Sequence, residues 1–87
     1  MAQVVYSAQT LDEVARAHAS GSAAGIQSAV EMLAAHPLLG RRVEGDLREL
    51  VISCGASGYI ALYRFAVQQS EVRVLALRHQ REIGYLP

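Results

Sequence analysis

Apolar residues recur at helical spacing in the first half of the chain. One predicted helix carries Leu11, Val14, Ala15 and His18 on one face, and the next carries Ile26, Ala29, Val30 and Leu33. Thr10 fits the start of the first helix, because residues 10–13 match the capping-box pattern with acidic side chains in the first turn. Pro37 ends the second helix, since the residue before a proline avoids the helical conformation. The pattern predicts a helical hairpin that needs a surface to pack on.

The second half of the chain is typical of strands. Three segments rich in β-branched and aromatic residues are predicted as strands: Leu47–Cys54, Tyr59–Val67 and Glu71–His79. The middle one is apolar on both faces apart from Arg64, which indicates a central strand. Alternation places Arg48 on the face of Leu50 and Ile52. In the last strand it places Arg73 and His79 on the face of Leu75 and Leu77, with Arg78 opposite.

A short opening strand at residues 3–7 completes the predicted order of elements. We therefore expect a single α+β domain over residues 1–87, in which an N-terminal strand and a helical hairpin pack on an antiparallel sheet that ends in a three-strand meander.

The charged residues are unevenly distributed. Eight arginines balance eight acidic residues, lysine is absent, and the formal net charge is zero. Residues 1–40 hold one arginine against three acids, whereas residues 41–87 hold seven against five. This excludes a polybasic nucleic-acid binder but leaves room for a local arginine patch.

Composition sets further bounds. A hydrophobic content of 52% with 18% charged residues excludes a disordered chain. No apolar run approaches the roughly 20 residues of a membrane helix, and the N-terminus does not resemble a secretory signal. The single cysteine, Cys54, fits a reducing cytoplasm. We expect a cytoplasmic protein that does not bind a membrane.

Few residues suggest chemistry. One cysteine and three scattered histidines lack metal-ligand spacing, so neither a metal nor another cofactor is expected. Residues 78–82 combine Arg78, His79 and Arg81, and Tyr85 follows. RNA cleavage through a 2′-hydroxyl needs a base, an acid and cations, which these residues and Arg48 would supply. Spacing alone favours a solvated strand end instead.

Four segments taken together resemble the RelE/ParE superfamily of toxins from type II toxin–antitoxin modules. They are residues 36–41 (HPLLGR), 47–50 (LREL), 59–64 (YIALYR) and 74–82 (VLALRHQRE), in the superfamily's order and with its gaps. The resemblance covers residues 28–85 in sequence, and residues 1–27 agree only in the order strand, helix, helix.

The resemblance implies a cytoplasmic bacterial toxin neutralised by a cognate antitoxin. RelE-like members cut mRNA in the ribosome with a cluster of cations, whereas ParE-like members poison DNA gyrase. RelE-like enzymes usually have arginine where this chain has Ile60, and they commonly carry lysines on the preceding strand, where Ile52 and Cys54 stand. Losing such cations removes transition-state stabilisation.

We therefore expect a ParE-like toxin that poisons gyrase, without enzymatic activity, with Arg41, Arg64 and Arg78 contacting the target or partner. The alternative is a metal-independent, ribosome-dependent mRNA endoribonuclease with Arg48, His79, Arg81 and Tyr85 as catalytic residues. A further alternative is a non-toxic protein-binding module on the same fold.

Overall fold

One strand and two helices precede four consecutive strands, which is an α+β arrangement. The computed structural model describes residues 1–19, 21, 23–54 and 57–79. The elements are β1 (Gln3–Tyr6), α1 (Ala8–Ala19), α2 (Ala23–Ala35), β2 (Arg41–Glu44), β3 (Leu47–Cys54), β4 (Ser57–Ala66) and β5 (Glu71–His79). Neither helix is long and apolar enough to cross a membrane, and this holds for the described residues only.

The five strands form one mixed sheet in the spatial order β1-β5-β4-β3-β2. Strands β2 to β5 are antiparallel neighbours, whereas β1 lies parallel to β5. Both helices pack on one face of the sheet, with Leu33 and Ala17 buried against Tyr63 and its neighbours. The predicted α+β fold and the central position of β4 are confirmed.

Strand β2 was not predicted, since no strand was assigned between Pro37 and Leu47. Gly45 and Asp46 form a two-residue turn that folds residues 41–44 back onto β3. Gly45 adopts φ +55°, a conformation that glycine reaches without steric cost and that tight hairpins require. The Gly-Asp pair is therefore the sequence signal for an additional hairpin.

The predicted start of α1 at Thr10 is wrong, and the cause is a competing cap. Ser7 Oγ accepts the backbone N–H of Thr10 at 3.1 Å, so Ser7 caps a helix that begins at Ala8. Ser7 thereby leaves β1, which ends at Tyr6. The Thr10 side chain is fully buried, and its hydroxyl donates to the carbonyl of Val74 at 3.1 Å.

The predicted buried face of α1 is also wrong. Thr10 and Ala17 are buried, Val14 is half-buried, and Leu11 is exposed. The hydroxyl of Thr10 reaches a sheet carbonyl, so a polar residue takes the position that apolar periodicity assigned to Leu11. In α2 the predicted stripe of Ile26, Ala29, Val30 and Leu33 packs on the sheet as expected.

A β-bulge changes the faces of β5. Tyr63 pairs with Val74 and Leu62 pairs with Ala76, so Leu75 is an extra residue on β5. Before the bulge Val72 and Val74 face the helices, and after it Leu77 does. The prediction that Arg73 shares a face with Leu77 and His79 is therefore wrong: Arg73 lies on the opposite side. Strand β4 also ends at Ala66 rather than Val67, which lies in the turn.

Candidate functional site on the outer face of the sheet

The sheet face turned away from the helices carries most of the predicted arginines. We call it the outer face and define it by side chains of β2 to β5 that the registers place on that side: Arg41, Glu49, Val51, Ile60, Leu62, Arg64, Arg73, Ala76 and Arg78. None of these residues belongs to the core cluster beneath the helices. The outer face is thus separate from the packing that holds the helical hairpin.

The middle of the outer face is apolar. Ile60 on the central strand lies between Val51 of β3 and Arg78 of β5 in the sheet registers. Ile60 is only 7% exposed, whereas Val51 is 56% exposed. Leu62 and Ala76 form the adjacent cross-strand pair. Within this apolar row Val51 offers exposed contact area to a protein, whereas Ile60 and Ala76 are buried. None of these side chains can donate a hydrogen bond to a phosphate.

Three arginines around this apolar centre are bound to carboxylates. Arg41 contacts Glu49 at 2.5 Å, Arg64 contacts Asp46 at 2.9 Å, and Arg73 contacts Glu71 at 2.7 Å. All three pairs are at least partly exposed, so each contributes little to stability. These pairs affect nucleic-acid binding more than they affect stability. Each carboxylate interrupts the row of positive charge along which a nucleic-acid backbone would bind.

Arg48 lies on the side of the sheet that faces the helices, opposite Tyr63. Its Nη1 donates to the carbonyl of Gly40 at 2.8 Å and to that of Leu38 at 3.3 Å. The Gly40 N–H in turn donates to the hydroxyl of the fully buried Tyr63 at 2.7 Å. Arg48 and Tyr63 therefore fix the turn between α2 and β2 from two sides.

His79 ends β5 beside Tyr59. The two rings meet edge to face with centroids 5.1 Å apart. Tyr59 and Tyr63 are four residues apart on β4, so His79 and Arg48 lie about 13 Å apart along the strand. The structure does not bring these two proposed catalytic residues together. Arg81 and Tyr85 lie outside the described residues.

Arg78 lies near α1 as well as on the outer face. It lines an open cleft together with Gln9, Asp12, Glu13 and Arg16 of that helix. One oxygen of Glu13 is buried there without a hydrogen-bond partner in the described part of the chain. The cleft is polar and carries both signs of charge, so its composition alone selects neither an anion nor a cation.

No cluster of three histidine, cysteine, aspartate or glutamate side chains that suits a metal ion occurs in residues 1–19, 21, 23–54 and 57–79.

Sequence reasoning missed two residues of this region. Arg73 pairs directly with Arg64 across β4 and β5, a contact that the predicted three-residue turn does not give. The second is Tyr63, whose hydrogen bond with Gly40 depends on the tertiary structure. A four-residue turn at 67–70, with Ser70 in a left-handed conformation at φ 50°, would have given the Arg64–Arg73 pairing.

A solved structure has the same overall fold. The structure described as the crystal structure of the intact E. coli RelBE toxin–antitoxin complex contains a chain that superposes with a TM-score of 0.73. The match covers 90% of this chain and 95% of that chain at 16% sequence identity. At this identity the likeness defines the fold, which is that of the RelE/ParE-like toxins.

The sequence supplies the family. Residues 4–84 match the family described as "ParE toxin of type II toxin-antitoxin system, parDE". The chain therefore belongs to the ParE toxin family within the RelE/ParE superfamily. Toxin RelE3 of Caulobacter vibrioides is 44% identical over 57 residues, a stretch that covers 66% of this chain and 60% of that relative's length. The predicted membership of the superfamily is confirmed.

Proposed function

We propose that this protein is the toxin of a type II toxin–antitoxin module, that it acts by binding DNA gyrase, and that a cognate antitoxin neutralises it. The family match supports the toxin assignment. The likeness to a chain of the RelBE toxin–antitoxin complex supports an antitoxin partner.

The observation that carries the choice of target is the apolar centre of the outer face. A phosphate-cleaving site needs cations at the position where charge develops, and Ile60 and Val51 supply none. Arg41 and Arg64 are each bound to a carboxylate at the edge of the same face. Apolar side chains bordered by arginines are typical of a surface that binds protein.

A supercoiling assay with purified gyrase tests the proposal. The full-length chain should inhibit supercoiling and leave ribosome-bound mRNA intact. Val51→Glu should weaken inhibition at least about tenfold, because the carboxylate would be desolvated in an apolar contact. Val67→Glu is the matched control, since Val67 is an exposed valine in the β4–β5 turn. It should stay within about twofold of the wild type.

A second candidate is a ribosome-dependent mRNA endoribonuclease, favoured by the name of the relative RelE3. If the chain cuts ribosome-bound mRNA at codon positions and leaves supercoiling unaffected, the target is the ribosome and not gyrase. An Arg81→Ala, His79→Ala double variant that folds and stays fully toxic would exclude the nuclease.

Coexpression with the adjacent reading frame tests the antitoxin. Growth should be restored when a small acidic partner is encoded there, and the two chains should copurify. Toxicity that persists alongside a well-expressed neighbour would contradict that assignment.

A further inference from the structure

Two arginines face each other across neighbouring strands on the outer face. Arg64 of β4 and Arg73 of β5 are direct register partners, and their side chains are 48% and 56% exposed. Like charges in this arrangement repel each other, because opposed side chains in a sheet begin only about 5 Å apart. Asp46 and Glu71 offset part of this repulsion from the two flanks.

Both flanking contacts leave the ends of the guanidinium groups available. Arg64 donates to Asp46, and Arg73 donates to Glu71, in each case through Nε. Among the described residues, their terminal nitrogens make no other hydrogen bond. The terminal nitrogens of each guanidinium group can still donate to a carboxylate oxygen, and a carboxylate bound here would offset the repulsion between the opposed arginines.

A groove with both apolar and polar lining lies next to Arg73. It is open to solvent, and the residues that line it are Val5, Tyr6, Ser7, Glu71, Arg73, Val74 and Leu75. The groove lies along the junction of β1 and β5, where Val5 is the register partner of Arg73. A ligand held by the two arginines would therefore meet apolar side chains on one side.

We infer that the Arg64–Arg73 pair and the adjoining groove form a docking site for a protein segment that presents one carboxylate next to an apolar side chain. A nucleic-acid strand fits less well, because Asp46 and Glu71 would repel a continuous row of phosphates. A single carboxylate meets less of this repulsion than a row of phosphates does, because it carries one charge. On β4 this site begins two residues beyond Leu62, so it adjoins the apolar centre on the side away from Ile60.

The inference does not depend on whether gyrase or the ribosome is the target, because its test measures binding by the isolated full-length chain. The probe is a short peptide in which leucine and glutamate alternate, titrated into ¹⁵N-labelled protein and followed by NMR. We expect saturable shifts concentrated at the Nε–H signals of Arg64 and Arg73 and at the amide of Leu75. Raising the salt concentration should weaken the binding.

The controls separate charge from shape. Arg64→Gln and Arg73→Gln should each weaken binding about tenfold, whereas Arg16→Gln, at an exposed arginine of α1, should stay within about twofold. Retained dispersion of the amide signals would show that each variant folds. A peptide in which glutamine replaces glutamate should not bind.

Two results would overturn the inference. Equal binding of the glutamine peptide would mean that the carboxylate is not recognised. Displacement of the peptide by single-stranded oligouridine at the same signals would make the site one for nucleic acid. Failure of the gyrase assay would leave both results unaffected, so the two proposals can be tested separately.

Discussion

Replacing Tyr63 by phenylalanine removes one buried oxygen and leaves the aromatic ring in place. Tyr63 is 0% exposed, and its hydroxyl accepts the N–H of the buried Gly40 at 2.7 Å. In Tyr63→Phe that N–H loses its acceptor.

The expected cost is that of a buried amide left without a partner, about 1–3 kcal/mol. For a domain of this length, about 2 kcal/mol corresponds to a decrease in Tm of roughly 10 °C. The ring still excludes the same apolar area from water, so the hydrophobic contribution to the free energy of unfolding is unchanged.

Urea unfolding followed by circular dichroism measures this loss as a lower midpoint at constant slope. Tyr6→Phe is the matched control, because the half-buried Tyr6 hydroxyl has no hydrogen bond among the described residues. It should change the free energy of unfolding by less than about 0.5 kcal/mol. Equal losses in the two variants would refute the reasoning that the Gly40 bond, rather than the hydroxyl itself, is what stabilises the turn.

Three further outcomes follow from the same packing. Gly40→Ala should destabilise by about 2–3 kcal/mol, because a Cβ would lie 2.7 Å from the Glu49 carbonyl oxygen and from the Tyr63 ring; a Tm within a degree of the wild type in calorimetry would contradict this. Thr10→Val should lower the free energy of unfolding, measured with urea, by only about 1 kcal/mol, because the Val74 carbonyl keeps a second donor, the backbone N–H of Ser7. A loss above about 3 kcal/mol would contradict the view that this second donor compensates for the missing hydroxyl. Burial raises the pKa of Tyr6 above its ordinary value of 10.0. Above pH 10 the unfolded chain therefore loses the Tyr6 proton before the folded chain does, and the free energy of unfolding falls as pH rises. In Tyr6→Phe the part of this fall that comes from Tyr6 should be absent from urea unfolding measured across that pH range.

Much of the fold could be predicted because several segments have unambiguous periodicity. The bounds of β3 and β5 and the apolar stripe of α2 agree with the structure. These elements are long or strongly patterned, so one physical effect, the burial of apolar side chains, decides their conformation. The start of α1 was missed because both Ser7 and Thr10 are residue types that cap helices. Only the tertiary contact of the Thr10 hydroxyl with the Val74 carbonyl excludes Thr10 as the cap.

The candidate site was less predictable because it depends on register. A turn of three residues after Val67 places Arg64 opposite Val74, whereas the observed turn at 67–70 places it opposite Arg73. One residue of slip exchanges the two faces of a strand, and the bulge at Leu75 exchanges them again. The surroundings of Arg48 were equally hidden, since its acceptors at Leu38 and Gly40 come from a turn eight and ten residues away.

The sequence by itself determined the family, the α+β class and the absence of lysine, since these depend on residue identity and local periodicity. Only the tertiary structure decided how the arginines are distributed. It places Arg48 on the helix-facing side of the sheet, where its side chain binds the Gly40 carbonyl in the turn after α2. It also pairs Arg64 with Arg73 on the outer face. The physical reason is that the direction of a side chain in a sheet alternates with every residue, so turn lengths and bulges, rather than composition, determine which charges meet.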